Sequence, residues 1–190
     1  MQSDRLTEVD HVHLQQASAA LSRLSQLNRS LLLLTQVAND QFTDAEPVDL
    51  SALVSQHSAE YEPFFTHKRI AVSQAIAPHI MLTINRQLIG ILLTNLLKNA
   101  VRHSDPGGCV QLTLTSDALT ITNSGAPLPF ADSLLFTRFV RNPARPDSTG
   151  LGLALVKQIA DRYHLPLGYH YDTAKRLHSF QVGLHPTATA

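Results

Sequence analysis

Apolar residues recur at intervals of three and four from about Asp4 to Asn39, uninterrupted by glycine or proline. This spacing predicts one long helix. Leu24, Leu27, Leu31, Leu34 and Ala38 form its seam, of the kind buried in a coiled coil or bundle. One helix cannot cover such a seam, and no second long heptad segment follows. The pattern therefore predicts a partner helix, from a second copy or from a segment outside the chain.

Glu46 to Leu50 reads as a break with a short extended piece. Leu53, Val54, Tyr61, Phe64 and Phe65 predict a second helix over Leu50–His67. Two short strands, Ile70–Ile76 and His79–Ile84, are split by Ala77-Pro78, and a helix is predicted over Arg86–His103. Asp105-Pro106-Gly107-Gly108 signals a turn. Clean alternation over Val110–Thr115 and Leu119–Thr122 predicts a β-hairpin. Periodicity then dissolves from Gly125 to Thr149, where Pro127, Pro129, Pro143 and Pro146 accompany Arg138, Arg141 and Arg145. A long irregular segment within a domain is usually functional or mobile. Helix resumes over Gly150–Tyr163, and Leu167–Tyr171 with Ser179–Leu184 predict a closing antiparallel pair. The order implies an α+β fold in two layers, with helices on one face of a sheet. Residues 1–45 form the separate long helix and 46–190 the compact domain.

Composition narrows the function classes. Lys plus Arg equals Asp plus Glu at 15 each among 190 residues, which argues against a nucleic-acid partner held through phosphates. No apolar run is long enough to span a bilayer, and the amino terminus lacks signal-peptide regions. A soluble, cytosolic chain is expected. Ten histidines are scattered without ligand spacing, so no histidine metal site is expected. The single cysteine, Cys109, opens an apolar stretch and reads as a buried structural thiol.

Chemistry is concentrated in Thr94-Asn95-Leu96-Leu97-Lys98-Asn99-Ala100-Val101-Arg102. Asparagine is a poor interior helix residue, yet two stand four apart. At 100° per residue, Asn95, Asn99 and Arg102 share a stripe about 60° wide, while Leu92, Leu93, Leu96, Leu97 and Ala100 point away toward a sheet. Neutral amide oxygens suit Mg²⁺ shared with substrate phosphates, and a guanidinium neutralises phosphate. Taken alone, the stripe serves equally as a solvated face. Thr149-Gly150-Leu151-Gly152 adds small residues at a helix start, where backbone N–H groups and the dipole favour phosphate.

Four segments, N-L-L-K-N-A, T-N-S-G-A-P-L-P, L-F-T-R-F and T-G-L-G-L-A-L-V, occur in fixed order. Together they resemble the N, G1, F and G2 boxes of the catalytic ATP-binding domain of sensor histidine kinases. That superfamily includes the gyrase, Hsp90 and MutL ATPases, with a Bergerat-type two-layer α/β sandwich. The resemblance spans roughly Asp49 to Pro186. Arg5 to Phe42 is similar to the second helix of the kinase dimerisation domain.

The resemblance implies ATP and Mg²⁺ as cofactors, with Asn99 on the metal and Asn95 on phosphates or metal. It puts Arg102 near the phosphates, His103 beside the nucleotide, and Asn123 and Gly125 at the adenine. Gly150, Leu151 and Gly152 would lie where the ATP lid ends. Phe136 and Phe139 would anchor the lid by packing, and Arg138 and Arg141 are expected in solvent, with phosphate contact as the alternative. It further implies a two-component phosphorelay with a response regulator as partner and a homodimeric full-length protein. The domain would be cytoplasmic, and any inner-membrane anchor would lie in segments absent here.

Two departures stand out. Asn123 replaces the G1 aspartate and Pro127 the second G1 glycine, so the adenine contact loses charge assistance. No H-E-[LIF]-[RQ]-x-P phosphoacceptor motif occurs, and His11 and His13 lack its acidic and proline neighbours. No catalytic phosphoacceptor is therefore expected within the chain, which should bind nucleotide without phosphorylating itself. The alternative is a degenerate module that serves dimerisation or docking without ATP turnover.

Overall fold

The computed structural model describes residues 8–142 and 148–185. Helix α1 spans Glu8–Ala38, and the expected helical residues before Glu8 lie outside the described range. Strand β1 (Glu46–Asp49) leads into helix α2 (Leu50–His67), whose first turn is capped by Asp49 Oδ1 accepting from Ala52 N at 3.0 Å. Strands β2 (Ala71–Ile76) and β3 (Met81–Ile84) precede helix α3 (Arg86–His103). Asn85 caps α3, its Oδ1 accepting from Gln87 N at 3.0 Å and Leu88 N at 3.1 Å. Such a cap satisfies donors the helix leaves open and contributes about 1 kcal/mol. Strands β4 (Cys109–Leu114) and β5 (Ala118–Ser124), helix α4 (Gly152–Arg162), and strands β6 (Leu167–Asp172) and β7 (Leu177–Gly183) complete the fold.

The main sheet has the order β2-β4-β5-β7-β6, antiparallel except for the β2–β4 pair. The two strands before α3 do not pair with each other. β2 lies on an edge parallel to β4, whereas β3 joins β1 in a separate two-stranded ribbon. Residues on the inner face alternate as a half-buried strand requires: Val110, Leu112 and Leu114 from β4, Leu119 and Ile121 from β5, Phe180 and Val182 from β7. They meet Leu88, Ile89, Leu92, Leu93, Leu96, Leu97 and Ala100 of α3 and Leu155, Val156 and Ile159 of α4 in one core. The α+β two-layer expectation holds. Cys109 departs from its expected place. The alternation that buries Val110 turns Cys109 outward, and its thiol is exposed rather than buried.

The α1 stripe divides. Leu34 and Val37 are buried against α4, with Leu27 and Leu33 partly covered. Leu24 and Leu31 remain exposed. Arg162, at the end of α4, fastens the connection after α1: its Nη2 donates to Phe42 O at 2.6 Å and its Nη1 pairs with Asp40.

Candidate functional site

A cleft of about 1590 Å³ opens between α3, the segment after β5, the start of α4, β7 and the second half of α1. Asn95, Asn99 and Arg102 line it from α3, as the predicted stripe requires, and His103 lines it beside them. The leucine face of the same helix is buried in the core, so sheet packing fixes which way the amides point. Asn95 Nδ2 donates back to Ile91 O at 2.8 Å, which leaves Oδ1 directed toward α4. A Cβ on Gly152 would meet that oxygen at 2.9 Å, closer than real side chains approach. The glycine therefore lets the α4 N-terminus sit beside the amide. The first N–H groups of a helix have no intrahelical partners and favour anions, so donors and hard oxygen ligands converge here.

The far end of α3 is held by a residue with no sequence signal. Lys68, just after α2, donates from Nζ to Val101 O at 2.7 Å, Arg102 O at 3.2 Å and Ser104 O at 3.4 Å. A cation at a helix C-terminus complements the dipole and satisfies its last carbonyls. It thereby fixes the turn that carries Arg102 and His103.

Asn123, which also lines the cleft, is completely buried near the end of β5. Its Nδ2 donates to Ser124 O at 3.0 Å, which sets the amide orientation, because a carbonyl can only accept. Among the described residues, Oδ1 has no hydrogen-bond partner. A buried unsatisfied acceptor costs roughly 1–3 kcal/mol, and one on a cleft wall is a place for a ligand donor.

His178 faces the cleft as the cross-strand partner of Asn123. Its Nε2 lies 2.8 Å from Ala126 O and its Nδ1 2.7 Å from the Tyr169 hydroxyl. Since Ala126 O can only accept, Nε2 carries the proton and Tyr169 donates to Nδ1 in the neutral ring. Burial pushes the His178 pKa down, against the upward pull of the Ala126 contact, Asp132 and Asp105. Burial likewise raises that of Tyr169. The predicted strand began at Ser179 and so left His178 unassigned. β7 begins at Leu177, and period-two alternation from Phe180 and Val182 puts His178 on the same inner face.

The irregular segment carries a 3₁₀ turn at Asp132–Leu134, and residues 143–147 with Pro143, Arg145 and Pro146 lie outside the described range. Leu135 is buried and Phe136 packs against the core. Phe139 departs from its expected anchoring role. The residue is 58% exposed, its φ is 65°, and it is tied instead through its backbone N–H to Gly150 O at 2.8 Å. Leu135, absent from the sequence reading, takes the buried place. Arg141 lines the cleft and Arg138 does not. Gly150 lines it too, while Gly125 and Leu151 are buried behind the wall.

The model of the histidine kinase-, DNA gyrase B-, and HSP90-like ATPases matches residues 84–183, more than half of the chain. The chain belongs to this ATPase family. The heme sensor protein HssS of Staphylococcus aureus is 32% identical over 151 residues, which cover 75% of this chain and 32% of that relative. The chain thus spans about a third of the length of the curated relatives it matches. Two solved structures share the fold. The histidine kinase AdeS of Acinetobacter baumannii superposes with a TM-score of 0.70 at 22% identity, covering 95% of this chain and 87% of AdeS. Full-length ShkA in complex with AMPPNP gives 0.74 at 21% identity over 98% of this chain and 41% of ShkA. Family membership makes the cleft between α3 and α4 the ATP-binding candidate. Among the described residues, no helix is long and apolar enough to cross a membrane.

Proposed function

We propose that the chain is the ATP-binding catalytic domain of a two-component sensor histidine kinase, which presents the nucleotide's terminal phosphate to a histidine outside the chain. The observation that carries this reading is the buried Oδ1 of Asn123, without a partner among the described residues, on a residue that lines the same cleft as Asn95, Asn99 and Arg102. A lone acceptor suits the exocyclic amine of adenine, and the amide-guanidinium end suits a metal-bound polyphosphate. The two kinds of group in one cleft thus match the two ends of ATP.

The residues present fit Mg²⁺. Asn99 would hold it, with Asn95 Oδ1 as a further neutral oxygen, and bound Mg²⁺ would neutralise phosphate charge as the bond to the terminal phosphoryl group breaks. Arg102 adds fixed positive charge, and the α4 N-terminus adds backbone donors. Catalysis of such a transfer is largely positioning and electrostatic stabilisation. Residues 46–190 form this catalytic unit, and residues 1–45 belong to a dimerisation helix whose exposed Leu24 and Leu31 await a second helix. The full-length protein is then a homodimer that passes phosphate to a response regulator. Its kinase domain is cytoplasmic, with any inner-membrane anchor in other segments.

The degenerate-module reading rests on Asn123 in place of an aspartate. The intact acceptor on the cleft wall speaks for retained binding, at an affinity lowered by the missing charge, about 1 kcal/mol or several-fold. The discriminating experiment incubates the chain with labelled ATP, with and without a separate polypeptide bearing the phosphoacceptor histidine of a sensor kinase. Label on that polypeptide alone supports the proposal. Failure of any nucleotide to bind favours the module.

A further inference from the structure

The three groups around Asn123 form a connected set that the ATP reading does not use. Asn123 Nδ2 leans on Ser124 O. The two residues that follow are gripped from the sheet side, where Tyr171 donates to Gly125 O at 3.3 Å and His178 Nε2 donates to Ala126 O at 2.8 Å. His178 is itself held by the Tyr169 hydroxyl and packs against the Tyr171 ring, with centroids 4.6 Å apart. Gly125 permits this approach, since a Cβ there would meet His103 O at 2.8 Å and the His178 ring at 3.1 Å. The phenol and the imidazole thus hold the planes of Gly125 O and Ala126 O, next to the plane of Ser124 O, which Gly125 N–H anchors by donating to Arg176 O at 2.9 Å. The Ser124 carbonyl in turn decides which way the Asn123 amide points.

We propose that His178 is a positioning residue for base recognition: by holding the Gly125–Ala126 turn it keeps the Asn123 acceptor, rather than its amide donor, facing the purine. Without that grip the plane of Ser124 O is left to the Gly125 N–H bond on Arg176 O and to the Tyr171 contact. As the turn loosens, Ser124 O no longer fixes the amide, and the flipped side chain offers Nδ2 to a base whose exocyclic group is also a donor. The loss would fall on the 6-amino group alone. Phosphate contacts, made by α3 and the start of α4, would stay. This inference rests on the nucleotide-binding reading above.

The test compares dissociation constants of the full chain for ATP and for purine riboside triphosphate, which lacks the 6-amino group. One neutral hydrogen bond predicts that the wild type prefers ATP by about fivefold. His178→Leu should bring that ratio to about one while the constant for the purine riboside analogue changes little. His178→Gln, long enough to donate to Ala126 O, should keep the preference. A His178→Leu protein that binds both nucleotides more weakly but still prefers ATP as the wild type does would overturn the proposal, because His178 would then be only structural. If His178→Leu does not fold, His178→Asn, too short to reach Ala126, carries the same comparison: a lost ratio supports the proposal and a kept ratio overturns it. A wild type that binds both equally overturns the acceptor role of Asn123 itself. A wild type that binds neither overturns the nucleotide reading beneath both.

Discussion

Asn123 offers the cleft a neutral oxygen whose alternative, an aspartate, would not be a simple improvement. The Nδ2 that bonds Ser124 O would become a carboxylate oxygen facing that carbonyl at about the same place. Asn123→Asp should therefore raise ATP affinity by charge assistance while lowering the melting temperature, a trade visible when calorimetry and thermal denaturation are read together. At the start of α4, Gly152→Ala places a methyl against Asn95 Oδ1. It should weaken ATP binding about tenfold or more, by separating α4 from the Asn95 amide, and leave the preference for a 6-amino purine unchanged. His178 gives a pH signature. Its pKa is lowered in the fold, chiefly by burial, against the upward pull of the Ala126 hydrogen bond, Asp132 and Asp105, with the Tyr169 and Tyr171 rings packed on it. The unfolded chain then binds the extra proton first, so stability is full above the ordinary value of 6.5 and falls as pH drops toward the depressed folded value. Chemical denaturation of wild type and His178→Gln across that window should show a flatter dependence in the variant.

At the scale of elements, α3 and the β4–β5 hairpin were legible because their patterns are local: period 3.6 with a polar stripe, and period two across a short turn. What was not legible depends on contacts distant in sequence. β2 and β3 are consecutive and both apolar, yet they join different sheets, because β2 finds β4 across the intervening α3. Leu135 rather than Phe139 is buried in the segment after β5, since an irregular segment has no period from which to read a face. Lys68 is a further case. A lysine after a helix carries no signal for the three carbonyls it caps more than thirty residues away. Lys68→Met keeps much of the aliphatic stem and should cost about 1–2 kcal/mol, measurable as a shifted urea midpoint. The loosened α3 terminus should also weaken ATP binding through Arg102 and His103.

Across the whole molecule, α1 is both part of the core and a source of exposed apolar surface. Leu34 and Val37 lie in the same buried cluster as the sheet, and Arg162 ties the following loop to α4. If α1 folds with the catalytic unit, Leu34→Ala should cost about 2–4 kcal/mol within a single unfolding transition. An unchanged main transition would separate α1 from it. The α1 residues Ser25, Arg29 and Gln36 line the same cleft as Asn99 and Asn123, so nucleotide affinity and α1 packing should respond together to that substitution. The most direct test is calorimetric titration of the intact chain with Mg-ATP at high nucleotide concentration. Saturable heat at one nucleotide per chain is expected, weakened both by chelation of the metal and by Asn99→Ala. Absence of saturable heat from the wild-type chain would contradict the assignment of this cleft to ATP.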